Sequence, residues 1–231
     1  SWLFCKKGIS WYHYIWLLLP IEMYGVTIAG ATLKPYMLFG ICIIAGDFVR
    51  NKTIRVHAAI VAIIFALIFS DYLTGFVMAS VMQHIMVILV LMIGYCYQNY
   101  QCDGIEFDEM GQAALAATIG YGTVFTMAWL MFNHGVTADG IYASERLDAG
   151  IVLKLASFGG NVSSRLRGFC IDPNSVITTL IPGATYALAN IVYRKQDIIK
   201  SLLAIVVYFA VVFYSGSRMA LICSFAMLVI F

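Results

Sequence analysis

Two short polar runs carry most of the chemistry this chain can offer. The first is Arg165-Leu166-Arg167-Gly168-Phe169-Cys170-Ile171-Asp172-Pro173-Asn174, and the second, about forty residues on, is Ser215-Gly216-Ser217-Arg218. Guanidinium groups grip phosphate or carboxylate oxygens in two-pronged fashion and keep their charge across the physiological pH range. Asp172-Pro173-Asn174 has the makings of a helix start, because aspartate accepts hydrogen bonds at the N-cap and proline fits the first turn. Such a start presents free N–H groups and a partial positive charge to an anion, and Asn174 adds a directional amide. Ser217 suits the cap of a second helix. That would put Arg218 in the first turn, where a cation opposes the helix dipole and a nearby anion would relieve it. Arg165, Arg167, Asn174, Ser217 and Arg218 thus read as ligands of one anion. Plainer readings stand beside this one: Asp172 as a cap alone, Arg165 and Arg167 snorkelling or pairing with Asp148 or Asp172, and Arg218 pairing with Asp71 or Asp172.

The elements that must position these residues are set by composition. Of 231 residues, 62% are hydrophobic and only 11% are charged. This is the signature of a polytopic membrane protein, in which arginine at the bilayer centre costs roughly 2.5–3.5 kcal/mol even on the lenient insertion scale. Apolar runs predict helices near 11–30, 35–49, 56–70, 73–97, 113–133, 174–193 and 199–214, with an incomplete eighth from 218. Helix is required because hydrocarbon does not tolerate unpaired backbone polar groups. The expected fold is an all-α bundle, a single transmembrane domain over 1–231 with about eight spans. Lys6-Lys7, an apolar stretch and Ala29-Gly30-Ala31 imitate a signal peptide, but Trp11, Tyr12, Tyr14, Pro20 and Glu22 suit a first spanning helix better. The chain starts at serine, and from Met219 its last apolar run would extend only about 20 Å as a helix against a bilayer core of about 30 Å. The expectation is a fragment truncated at both ends.

Basic residues in short loops set the orientation. Lys6, Lys7, Arg50, Lys52, Arg55, Arg194, Lys195 and Lys200 fall on one side, the expected cytoplasmic face, with Lys34 and Arg218 opposite. The segment 134–173 then becomes a long outer-face loop, in which Leu153–Phe158 is expected to lie along the interface as a short helix before Gly159-Gly160 breaks it. The spans 56–70 and 73–97 should form a tight antiparallel hairpin joined at Asp71-Tyr72. A net charge of +2 spread over both ends and several loops gives no support to nucleic-acid binding.

Other polar groups offer less. Gln83-His84 falls inside a span and reads as an interhelical hydrogen-bonding pair. Glu22 and Asp47 should face the bundle, because exposure to lipid is costly. His134 opens the outer loop and is a weak candidate for acid–base catalysis, as is Asp172. The six cysteines are scattered singly, with no metal-ligand spacing. No HExxH, GxSxG or Walker A motif occurs, and no metal site or cofactor is expected.

The order Arg165…Gly168…Asp172-Pro173-Asn174, followed by Ser217-Arg218, resembles the O-antigen ligase/O-antigen polymerase family of bacterial polysaccharide enzymes, mainly over 134–231. The resemblance implies an enzyme of the bacterial cytoplasmic (inner) membrane, active at the periplasmic or extracellular face. Its reaction would transfer oligosaccharide from undecaprenyl diphosphate to a growing glycan or lipid acceptor, without metal or nucleotide sugar. The outer-face arginines would hold the diphosphate and stabilise it as leaving group. In ligases the base that activates the acceptor is a histidine of a later outer loop, which implies a catalytic base beyond Phe231. Polymerase and ligase both remain open. The alternative from another class is a polytopic transporter or exporter of a polysaccharide or lipid-linked precursor, which repeated halves and midplane charges would mark.

Overall fold

The structure, a computed structural model, describes residues 10–28, 31–53, 56–101, 107–133, 153–158, 161–170 and 172–230. Four helices are long and apolar enough to cross a membrane: Met78–Asn99, Asp108–Met131, Pro173–Arg194 and Ile198–Ser215. The chain divides into two units, one made of Ser1–Met23 with Asp108–Phe231, the other of Tyr24–Phe107.

The first expected span is not a spanning helix. Trp11–Tyr14 forms a 3-10 turn that runs into α1, Ile15–Leu18, and the helical path then ends. Pro20 has no N–H to offer the next turn. The backbone N–H groups of Glu22 and Met23 instead donate to Phe169 O, each at 2.9 Å. Glu22 therefore lies outside any helix.

In the second unit, β1 (Val26–Ile28) and β2 (Ala31–Leu33) pair antiparallel, Val26 opposite Leu33. The β-branched Val26, Thr27, Ile28 and Thr32 favour this pairing over helix. Three helices follow: α2 (Pro35–Asn51), α3 (Ala58–Leu73) and α4 (Met78–Gln101). Helix α2 packs along α4, and a Cβ on Gly40 would come within 2.2 Å of Ile93, so the missing side chain lets the two backbones approach. Asp47 is 3% exposed, as expected of a carboxylate that avoids lipid, and accepts a 2.7 Å hydrogen bond from Asn51.

Helices α3 and α4 form the expected hairpin, but its turn falls at 74–77, and Asp71 and Tyr72 belong to the last turn of α3. There Asp71 is buried, accepts from Ser80 Oγ at 3.0 Å and lies 2.9 Å from His84 Nδ1. The predicted interhelical role of His84 is thus met by a carboxylate.

The first unit contains α5 (Phe107–Asn133), a hairpin of β3 (Leu153–Phe158) and β4 (Asn161–Leu166), then α6 (Pro173–Ala189), α7 (Ile198–Ser215) and α8 (Arg218–Ile230). A π-helical turn, Asn190–Arg194, extends α6. The expected interfacial helix over 153–158 is a strand, paired with β4 in the register Leu153 opposite Leu166 through Phe158 opposite Asn161.

The core of this unit gathers Phe125, Leu166, Cys170, Val176, Leu180, Tyr208 and Val211 between α5, α6, α7 and the end of β4. Helices α5 and α6 meet closely where Gly183 faces Thr118 and Ala114, and Thr118 Oγ1 donates to Leu180 O at 2.8 Å.

Candidate anion site at a helix corner

The site begins with strand alternation at the end of β4. Leu166 is fully buried, so its neighbour Arg165 turns to the opposite face. Arg165 Nε then donates to Ser215 O, the last carbonyl of α7, at 2.8 Å. A cation here suits the negative end of the α7 dipole and satisfies a carbonyl that has no partner within the helix.

Helix α7 stops at Gly216, whose φ of +58° closes the left-handed cap, with Gly216 N–H donating to Phe213 O at 3.2 Å. A Cβ at this position would stand 3.6 Å from Arg165 Nε, so the guanidinium lies over the cap. Ser217 follows. Its Oγ accepts from Ala220 N–H at 3.1 Å, which makes it the N-cap of α8, and its hydroxyl donates to Asn174 Oδ1.

Asn174 is held from the other side as well. Asp172 caps α6 by accepting from Asn174 N–H at 2.8 Å, with Pro173 in the first turn. The two polar runs, distant in sequence, therefore meet: the start of α6 is bonded to the start of α8, and the end of β4 is bonded to the end of α7. Arg218 occupies the first turn of α8, is exposed, and makes no hydrogen bond or ion pair among the described residues. Asp172, the plainer partner in the same unit, does not pair with it.

Three donor groups at this corner are not committed to protein acceptors among the described residues: the Nη groups of Arg165, the Nδ2 of Asn174 and the guanidinium of Arg218. Around them two helices begin and one ends. The arrangement is chemically suited to an anion with several oxygens, such as a diphosphate.

Arg167 is placed differently. It is 8% exposed, at the start of a turn in which Cys170 N–H donates to Arg167 O at 3.2 Å. Gly168 holds that turn at φ +60°, and a Cβ there would come within 2.4 Å of the Phe125 ring. Phe169 stands edge-on to Phe125, with centroids 5.2 Å apart. It also lines an apolar crevice of about 320 Å³ with Leu17, Ala117, Gly120, Tyr121 and Val124. His134 lies outside the described residues.

Sequence reasoning did not anticipate the role of Arg165 as a cap of α7, nor the stack of Trp129 on Tyr214, whose centroids are 3.8 Å apart just before the corner. It also missed a polar cluster at the opposite end of this unit. There Asp108 pairs with Arg194, accepts from Tyr186 Oη at 2.8 Å, and lies beside Gln112. Its only sequence signal is an acidic pair, Asp108-Glu109, at the start of an apolar helix and a basic residue at the end of another. Among the described residues no group of histidine, cysteine, aspartate and glutamate is arranged to hold a metal ion.

No protein family, curated protein or solved structure matches the chain.

Proposed function

We propose that this chain belongs to a multi-pass bacterial inner-membrane enzyme that transfers oligosaccharide units from undecaprenyl diphosphate to a growing glycan or lipid acceptor. The observation that carries the reading is the corner where Arg165, Asn174 and Arg218 keep donors uncommitted around the starts of α6 and α8. In that reaction an acceptor hydroxyl attacks the anomeric carbon of the donor sugar. The bond from that carbon to the diphosphate oxygen breaks, and a base takes the hydroxyl proton. Negative charge grows on the diphosphate as it leaves, and fixed donors aimed at that charge lower the barrier. The apolar crevice beside Phe169 supports the reading, since a diphosphate carried on a polyprenyl chain needs an apolar surface near its head. The same reading places the corner on the periplasmic face and the basic end at Arg194, Lys195 and Lys200 on the cytoplasmic face.

The test is genetic. In cells that depend on the complete protein for polymer, Arg218→Ala is expected to leave membrane levels unchanged and to replace long chains by single repeat units. Arg218→Lys restores charge without the fork and should recover only part of the length. Normal polymer in Arg218→Ala at normal protein level would overturn the proposal.

A further inference from the structure

Of the pair Gln83-His84, the fold provides a partner for His84 alone. Asp71 lies 2.9 Å from His84 Nδ1, whereas Gln83 is exposed and makes no hydrogen bond among the described residues. At 1.5 Å per residue, Gln83 lies about 7.5 Å inside the apolar stretch Met78–Asn99. An amide at that depth in hydrocarbon is costly until its donors and its acceptor are bonded. Three turns further along the same face, Gly94 is also exposed, and a Cβ there would meet nothing within 4 Å. Gly40 on α2 makes room for Ile93, but Gly94 makes room for no neighbour within the chain. Exposed Val87 and Val90 lie between them, so Gln83, Val87, Val90 and Gly94 form one stripe at spacings of four, three and four. Of the four stretches long and apolar enough to span, this one is the least covered among the described residues: 11% buried, against 33–50% for the others.

A lipid chain can cover the two valines but offers the amide no partner. A second helix can do both, and the makeup of the stripe favours a copy of itself. Copies of a membrane protein share one orientation, so a twofold axis along the bilayer normal sets α4 parallel to α4, each residue facing its own counterpart. Every member of the stripe suits that arrangement. A glutamine amide carries both donors and an acceptor, so two of them bond reciprocally. Facing glycines let the backbones approach, the β-branched valines have little rotamer freedom to lose, and no like charges meet. We propose that α4 is a contact between two copies of this chain, with the Gln83 amides paired across the twofold axis and the backbones closest at Gly94. The proposal is independent of the anion corner in the other unit.

The test measures self-association in a bilayer. The complete protein, labelled in separate batches with a donor or an acceptor dye, is reconstituted together in phosphatidylcholine vesicles, and energy transfer is followed as lipid dilutes it. The unaltered protein is expected to dimerise. Gln83→Leu, apolar and of similar volume, should weaken association about tenfold while leaving thermal unfolding of the monomer unchanged. Gln83→Asn keeps an amide and should recover part of the loss, and Gly94→Leu should weaken association by blocking the close approach. Cross-linking covers the case of a variant that fails to fold. In cell membranes, with native cysteines removed, oxidation should join copies through Val87→Cys or Val90→Cys and not through Ile85→Cys, which is exposed on the opposite face of α4. A monomer at every lipid ratio would overturn the proposal, as would a Gln83→Leu dimer as tight as the parent. So would cross-linking that is no better at Val87→Cys and Val90→Cys than at Ile85→Cys, which would leave that face to lipid or to another protein.

Discussion

At Gly168 and Gly216 the same backbone conformation has different surroundings, and the difference is measurable. Both residues have φ near +60°, which costs an L side chain about 1–2 kcal/mol. At Gly216 a Cβ would sit in ordinary contact with Arg165, so Gly216→Ala should cost little beyond that amount. At Gly168 the Cβ would enter the buried Phe125 ring, adding the cost of an overpacked core, for a total of about 2–5 kcal/mol. Thermal unfolding in detergent should therefore rank Gly168→Ala well below Gly216→Ala, and equal melting temperatures would refute the packing argument. The residue types of the corner are legible in the sequence because capping follows local rules: Asp172, Pro173 and Ser217 sit where such rules put them. The division of labour between the arginines is not legible. Arg165 and Arg167 look equivalent in a string, whereas in the fold Arg165 reaches the last carbonyl of α7 and Arg167 is buried at the turn that Gly168 holds.

Elements explain both what the chain's pattern reveals and what it conceals. Helices α2 to α8 coincide with apolar runs because length and hydropathy specify them with little help from context. The first span fails because apolar length alone ignores Pro20 and a run of β-branched residues, and because Phe169 O, far along the chain, captures the N–H groups of Glu22 and Met23. Leu153–Phe158 fails as a helix for a related reason, since its partner strand lies beyond a glycine pair and pairing is not a local property. Ser217 joins elements at their ends, capping α8 while its hydroxyl donates to Asn174 at the start of α6. Ser217→Ala removes both bonds and should cost about 1–2 kcal/mol of stability. Ser217→Asp keeps the cap but offers Asn174 Oδ1 no donor, and it brings a negative charge beside Arg165 and Arg218. It should be close to the parent in unfolding temperature yet lose polymer length in the cellular assay, which separates capping from anion binding. Full polymer length in Ser217→Asp would argue that the corner only joins helices.

For the whole molecule, the decisive quantity is which ends of α6 and α7 share a side of the membrane. With its π-helical extension, the apolar stretch Pro173–Arg194 has 22 residues, and Ile198–Ser215 has 18. At 1.5 Å per residue these give about 33 and 27 Å, close to a bilayer core of about 30 Å. The two helices are consecutive and packed on each other, joined through Lys195–Asp197, so the start of α6 and the end of α7 lie together. That is the end where Asn174 meets Ser217, while Arg194, Lys195 and Lys200 crowd the other. If both helices span, a thiol placed at the corner and one placed at the basic end must face opposite compartments. In a background cleared of native cysteines, Arg218→Cys should react with a membrane-impermeant maleimide in intact cells with the outer membrane opened. Tyr193→Cys, exposed beside Arg194, should react only after the inner membrane is breached. Labelling of Tyr193→Cys alone would invert the orientation and deny the corner its lipid-linked donor. Equal labelling of both in intact cells would mean that these helices do not cross the bilayer.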